Sequence, residues 1–233
     1  MTSAREFLSR QTRESDENLR VEATDDGVII ELLQPPDRLE FRHSYVETAF
    51  FKRAQQSRQA LLKACNNRQR SIHSILDLTG GWGMDSFILA QHGQRVTMIE
   101  YDRLVYSISS HSLECARSIR RSATAAGRIE TIHANALQFL QNLDKKDPFD
   151  CIYLDPMFPA HHSGAKPAKE MQILQYLTSN ENIEDCFDLA LLIAGNRVVV
   201  KRPAKAPTLT DLSPDLVLRE KTIRFDVYLT QGC

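Results

Sequence analysis

Three of the nine glycines in this chain, Gly80, Gly81 and Gly83, fall within four residues. They lie in the run Ile75-Leu76-Asp77-Leu78-Thr79-Gly80-Gly81-Trp82-Gly83-Met84-Asp85, whose first part reads as a strand and whose continuation reads as a helix. Glycine at such a junction lets the backbone turn sharply and approach a ligand with no Cβ in the way. The free N–H groups of the following helix face the same place. The pattern Gly81-x-Gly83-x-x-Ser86 matches the dinucleotide fingerprint only in part, and a packing turn would use the same residues. Two acids refine the reading. Glu100 closes the next strand, where a carboxylate can meet a ribose diol, a device shared by NAD and S-adenosylmethionine sites. Asp77 ends the strand before the glycines. A carboxylate there suits the cationic amino-acid end of S-adenosylmethionine and repels a pyrophosphate, which favours the methyl donor. A helix cap or a surface strand end is the alternative for each acid.

A second group follows another strand. Asp150-Cys151-Ile152-Tyr153-Leu154 runs into Asp155-Pro156-Met157-Phe158-Pro159. Two prolines within four residues stiffen the loop and stop a helix. The segment resembles the [D/N]-P-P-[F/Y] loop of amino-group methyltransferases. An exocyclic amine on a base is a poor nucleophile, because its lone pair is delocalised into the ring. Hydrogen bonds from the NH2 to a carboxylate and a backbone carbonyl favour a more tetrahedral nitrogen, whose lone pair then points at the donor's methyl group. A stacked aromatic ring holds the base in line. Asp155, the Pro156 carbonyl and Phe158 fill these catalytic roles, and the carboxylate can also accept the departing proton. A plain proline turn with a buried Phe is the other reading.

Leu154-Asp155-Pro156-Met157-Phe158-Pro159 resembles the signature of the ribosomal RNA small subunit methyltransferase J family. Similar segments follow in the family's order: Lys166…Lys169-Glu170-Met171, Arg197-Val198-Val199-Val200-Lys201-Arg202-Pro203, Ala206-Pro207 and Arg224-Phe225-Asp226-Val227-Tyr228. The resemblance covers about residues 45–230. It implies methyl transfer from S-adenosylmethionine to a guanine N2 near the 3′ end of 16S rRNA. It also implies donor contacts at Met84 and Asp85, Glu100 and Tyr101, Asn135 and Ala136, and Asp155. The family commonly has Arg where Met84 stands and a small hydroxylated pair where Asn135-Ala136 stand. A methyltransferase acting on DNA adenine or protein glutamine, or a donor-binding RNA-assembly factor without catalysis, are the competing functions.

These residues need a scaffold. From residue 71, strand patterns at Ser74–Leu78, Arg95–Glu100, Arg128–His133, Phe149–Leu154 and Arg197–Lys201 alternate with helical stretches. Leu104, Ile108, Cys115 and Ile119 mark the face of one helix; Ile183, Phe187, Ala190, Leu191 and Ala194 mark another. Apolar strands alternating with helices predict a parallel sheet covered on both faces. The expected fold class is α/β and doubly wound, which the resemblance above makes a Rossmann-like class I S-adenosylmethionine-dependent methyltransferase. An antiparallel hairpin, Leu216–Glu220 with Phe225–Leu229, closes the sheet. Ahead of it, residues 1–44 form a small N-terminal β element: Arg20–Thr24 and Val28–Leu33 around an Asp-Gly turn, and a short strand at Leu39–Arg42. Residues 45–70 form a basic linker helix, with Val46, Phe50, Ala54, Leu61 and Cys65 on one face. Residues 71–233 are the methyltransferase domain.

Composition excludes other classes. The 233 residues are 42% hydrophobic and 25% charged, which rules out disorder and fibrous repeats. The longest clean apolar run, residues 189–195, is too short to span a bilayer, and the start lacks a signal-peptide pattern. Five cysteines with no C-x-x-C pair argue against a disulfide framework and suggest the cytoplasm. The adjacent His161-His162 lacks metal-site spacing, so no metal is expected. A net charge of −1 hides residues 1–40, with 5 Lys/Arg against 10 Asp/Glu, and residues 41–75, with 7 Lys/Arg against one acid. RNA contacts are expected from this basic stretch and from Lys166, Lys169, Lys201 and Arg202, which follow strands ending at the site. Solvated surface is the alternative. Tyr45, Phe50 and Phe51 could stack RNA bases, but core packing is the better reading; Trp82 could stack on adenine, but such a residue more often packs the helix start.

Overall fold

The computed structural model describes residues 4–8, 17–34, 37–46, 59–66, 71–143, 149–157, 166–178 and 182–230. Among them, strands β1 (Leu19–Thr24), β2 (Gly27–Gln34) and β3 (Asp37–His43) make an antiparallel three-stranded sheet. Thr24 pairs with Gly27, leaving Asp25-Asp26 as the hairpin loop. A seven-stranded sheet follows, built from β4 (Ser74–Asp77), β5 (Arg95–Glu100), β6 (Ile129–His133), β7 (Cys151–Leu154), β8 (Arg197–Pro203), β9 (Leu216–Arg219) and β10 (Ile223–Leu229). Its order is β6-β5-β4-β7-β8-β10-β9. The first five of these pair in parallel, and β10 is antiparallel to both neighbours. The α/β class is as expected. The closing hairpin is threaded differently from a simple edge addition: its second strand lies beside β8 and its first takes the edge.

The strands form where they do because both faces are covered. All four residues of β7 are buried, as are the first four of β8, which is why residues 151–154 and 198–200 read as unbroken apolar runs. Helices α1 (Gln59–Ala64), α2 (Met84–Gln91), α3 (Arg103–Arg117), α4 (Arg120–Ala126), α5 (Ala136–Gln141), α6 (Lys169–Leu177) and α7 (Ile183–Ile193) connect or flank them. Two apolar clusters lie on opposite faces of the large sheet. A third sits under the small sheet, where Val21, Val28, Ile30 and Leu32 pack against Val105 and Ile108 of α3 and Ile173 and Leu174 of α6.

Helix α3 corrects one expectation. Its buried positions are Val105, Ile108, Leu113 and Ala116 together with four serines and His111, whereas Leu104 and Cys115, and Ile119 beyond its end, are half-buried. The helix is wedged between two sheets, so small hydroxyls replace aliphatics on one side. Ser107 donates to the Arg103 carbonyl and Ser109 to the Gly81 carbonyl, which meets their polarity inside the protein. The linker helix is corrected too. Tyr45 and Val46 are buried but not helical, and helix is described only over Gln59–Ala64. Phe50, Phe51, Lys52, Arg53, Ala54, Arg58, Arg68 and Arg70 lie outside the described residues, as do Phe158, His161 and His162.

The chain runs β4, β5, β6 outward and returns to place β7 on the other side of β4. The sheet order therefore reverses between β4 and β7. In open α/β sheets, the crevice at the carboxyl ends of such strands is where ligands bind. The glycine loop leaves from β4 and the Asp155 loop from β7. No described helix is long and apolar enough to cross a membrane.

Candidate functional site

The glycine loop is held from every side. Asp77 is 2% exposed; its Oδ1 accepts the Thr79 N–H at 3.0 Å and its Oδ2 accepts the Ser86 hydroxyl at 2.5 Å. Gly80 donates to the Ile99 carbonyl at 2.8 Å, and a Cβ there would stand 2.8 Å from both that oxygen and Met98 Cγ. Gly83 has φ +64°, and a Cβ on it would fall 2.3 Å from Tyr45 Oη. Only glycine tolerates both the backbone and the neighbour there. The Trp82 carbonyl accepts from Tyr45 Oη at 2.7 Å and from His43 Nε2 at 2.8 Å. A carbonyl can only accept, so His43 carries its proton on Nε2. Burial pushes the His43 pKa down to about 4, which keeps the ring neutral. Tyr45 stacks on Phe87 in the core, the packing role the sequence favours for it. Trp82 is also packed: it is 5% exposed and its indole N–H donates to the Glu170 carbonyl at 3.0 Å, tying the loop to α6.

Glu100 ends β5 beside this loop. One carboxylate oxygen accepts the Gly81 N–H and the other accepts the Asp102 N–H, each at 2.7 Å. Burial raises its pKa, and the backbone donors oppose the rise. Each oxygen keeps a further lone pair. The other β4 partner is β7. There Thr79 Oγ1 accepts the Asp155 backbone N–H at 2.7 Å, so the two loops meet. Asp155 Oδ2 lies 2.6 Å from Lys201 Nζ, which also lies 2.8 Å from Asp85 Oδ2. Asp85 takes the Tyr153 hydroxyl at 2.7 Å. Burial pushes the Asp77 pKa up to about 6, with the Asp155 charge as a lesser contributor.

These residues surround one cavity of about 650 Å³, a size suited to a small-molecule ligand. Asp77, Gly80, Gly81, Gly83, Met84 and Asp85 line it from the β4 side. Glu100, Tyr101, Asn135 and Ala136 line it from β5 and the start of α5, and Asp155 and Pro156 from β7. Asn135 caps α5 by accepting the Gln138 N–H at 3.1 Å, and Tyr101 is 61% exposed. The fit to S-adenosylmethionine is good on three counts. Glu100 has acceptor capacity left for a diol. The glycines let a ligand approach the backbone. Three aspartates around one lysine leave an anionic wall for a ligand that carries a sulfonium and an ammonium.

Comparison with known proteins agrees. A family model described as "Putative SAM-dependent methyltransferase" matches residues 5–230. The ribosomal RNA small subunit methyltransferase J of Desulfotalea psychrophila is 37% identical over 175 residues, 75% of this chain and 66% of that protein. Its namesake in Nitrosococcus oceani is 33% identical over 214 residues, 86% of this chain and 84% of that protein. The chain belongs to the ribosomal RNA small subunit methyltransferase J family. The crystal structure of a SAM-dependent methyltransferase from Neisseria gonorrhoeae superposes with a TM-score of 0.74 at 27% identity, covering 100% of this chain and 94% of that one. This methyltransferase J homologue is thus an S-adenosylmethionine-dependent enzyme with a Rossmann-like fold.

Within the methyltransferase J frame, the four cations expected to meet RNA separate into two kinds. Lys166 and Lys169 are exposed and lie before and at the start of α6; Lys166 pairs with Asp37 at 2.7 Å on the surface. Lys201 and Arg202 are corrected. The Lys201 side chain is 17% exposed and its ammonium is held between two aspartates. Arg202 is 6% exposed, and its guanidinium donates to the Pro207 and Thr208 carbonyls. Both are engaged within the protein and border the cavity. Sequence reading missed Thr79 and Tyr153. A hydroxyl next to the glycines and a tyrosine inside a buried strand, which needs a partner for its O–H, were the available signals.

Proposed function

We propose that this chain transfers the methyl group of S-adenosylmethionine to the exocyclic N2 of a guanosine near the 3′ end of 16S rRNA in the small ribosomal subunit. The observation that carries the reading is Asp155: a carboxylate on a proline-stiffened loop, at the sheet's switch point, tied through Thr79 to the glycine loop. The names of the relatives support ribosomal RNA as the substrate.

The donor supplies an electrophilic methyl group. The chain supplies position. Asp155 accepts one N–H of the guanine amine and the Pro156 carbonyl accepts the other, so the nitrogen lone pair is turned toward the methyl. Phe158, outside the described residues, would stack on the base. As the N–C bond forms, the donor's sulfur–methyl bond breaks with its electron pair going to the sulfur, which leaves as a neutral thioether; one amine proton becomes acidic, and the Asp155 carboxylate or solvent takes it. Glu100 accepts the ribose hydroxyls, and Asp77 and Asp85 face the donor's amino-acid end. Tyr101, Asn135 and Ala136 border the adenosine. The guanine must be unpaired or flipped out of its stack, and Lys166 and Lys169 on the exposed side contact flanking phosphates. Ribosomal substrates put the enzyme in the cytoplasm. Mass mapping of 16S rRNA from cells with and without the gene tests this reading: one guanosine near the 3′ end should lose a single methyl group when the gene is deleted. An unchanged map would overturn it.

A further inference from the structure

We propose that Lys201 is a positioning residue for methyl transfer, fixing the Asp155 carboxylate as the hydrogen-bond acceptor for the target amine. The proposal rests on the reading of Asp155 given above.

The geometry is a chain of four groups. Tyr153 donates to Asp85 at 2.7 Å, Asp85 accepts Lys201 at 2.8 Å, and Lys201 donates to Asp155 at 2.6 Å. Burial falls off along it: the side chains of Asp85, Lys201 and Asp155 are 8%, 17% and 36% exposed. The lysine is thus anchored at its protected end and works at the open one. Its two partners come from different elements, the start of α2 and the loop after β7.

The chemistry needs such a cation. Asp77, Asp85 and Asp155 all line the same cavity. Carboxylates that share a poorly hydrated site favour protonation of one of them. A cation among them relieves that repulsion, and Asp155 is the acid on which the amine depends. The amine hydrogens are donors, so the group that meets them has to be an acceptor. The Lys201 ammonium offsets the repulsion. It also occupies Oδ2, which directs Oδ1 toward the amine. A phosphate contact, the role expected from sequence, is incompatible with this placement.

The test is a double-mutant cycle. Single-turnover methylation of small ribosomal subunits lacking the modification is measured at saturating S-adenosylmethionine for Lys201→Met, Asp155→Asn and the double variant. Lys201→Met should slow the reaction about 10- to 100-fold, the scale of a misplaced reacting group. S-adenosylmethionine affinity by calorimetry should stay within about threefold, so the loss is in rate and not in donor binding. In the Asp155→Asn background the Lys201 change should cost less than about threefold, because its route of action is gone. Lys201→Arg, which keeps the charge, should recover part of the rate. If Lys201→Met does not fold, the same cycle is run with Lys201→Arg, whose loss must likewise vanish in the Asp155→Asn background. A wild-type rate in the lysine variant, losses that multiply in the double variant, or a donor affinity that falls in step with the rate would overturn the proposal. The last result would assign the lysine to the donor's carboxylate. A wild-type rate in Asp155→Asn overturns the reading of Asp155 itself, whereas a slow Asp155→Asn beside a normal Lys201→Met overturns only the role of Lys201.

Discussion

Thr79 Oγ1 accepts the backbone N–H of Asp155 at 2.7 Å, which makes the glycine loop and the proline loop one unit. The same hydroxyl lies 3.3 Å from Asp77 Oδ1 as its donor. One side chain therefore couples the glycine loop to the residue proposed to meet the target amine. Thr79→Val keeps the shape and removes both hydrogen bonds, leaving a partly buried N–H without an acceptor, at about 1–3 kcal/mol. Methyl transfer is expected to fall about 10- to 100-fold, and Thr79→Ser to stay near wild type. Single-turnover rates for the two variants decide this; equal rates would separate the loops.

Glu100 does two jobs, since its oxygens already hold the Gly81 and Asp102 N–H groups. Glu100→Gln preserves size but leaves one acceptor oxygen and places an NH2 against a backbone donor. Donor affinity should drop about 10- to 100-fold, the equivalent of roughly 1.5–3 kcal/mol for a charge-assisted bond. Calorimetry with S-adenosylmethionine measures it, and an unchanged Kd would remove Glu100 from the donor site.

His43 and Asp77 give the fold opposite acid responses. His43 titrates at about 4 instead of 6.5, so its stabilising contribution is lost as pH falls from 6.5 to 4. Asp77 titrates at about 6 instead of 3.8, so its contribution is present at pH 4 and lost as pH rises to 6. The two slopes largely cancel in the wild type. Asp77→Asn removes one of them. Its stability relative to wild type should fall by up to about 3 kcal/mol between pH 7 and pH 4, from about 1.4 kcal/mol per pKa unit. Urea unfolding at the two pH values checks the sign, and a shift the other way would contradict the burial of a charged Asp77.

The four cations near the site should divide by experiment as they do in space. Replacing Lys166 and Lys169 by Ala should flatten the salt dependence of ribosomal-subunit binding by about one to two units on the logarithmic slope. Arg202→Ala should leave the slope alone and lower thermal stability, because it strips carbonyls of a charged donor worth about 1.5–3 kcal/mol. A flattened slope for Arg202→Ala would put its guanidinium on the RNA.

The large sheet was legible because its central strands are covered on both faces and read as apolar runs. The glycine loop, Glu100 and Asp155 were legible because their residue types sit at strand ends. Lys201 and Arg202 were misread as one feature. They are consecutive in a strand and must face opposite sides; Val199 belongs to the cluster on one face, and Val198 and Val200 to the other. That alternation separates the two cations once β8 is carried through Pro203 instead of ending at Lys201. Tyr45 was read as the start of a helix because its spacing to later residues is helical. Its true constraint is non-local: together with His43 it meets the Trp82 carbonyl, and no local pattern encodes a partner 37 residues away. The serine face of α3 was hidden for a related reason, since only the packing of a second sheet makes serine a core residue.

The proposed activation of a guanine amine of 16S rRNA by Asp155 is open to a direct test. Its most direct test is methyl incorporation into small ribosomal subunits from cells lacking the gene, with purified wild-type and Asp155→Ala protein and mass mapping of the product. The wild type should add one methyl to a single guanosine N2 near the 3′ end. Asp155→Ala should remain folded, bind S-adenosylmethionine, and lose turnover by about 100-fold or more. Near-wild-type turnover by Asp155→Ala, or methyl groups appearing elsewhere, would contradict the role proposed for Asp155 or its target.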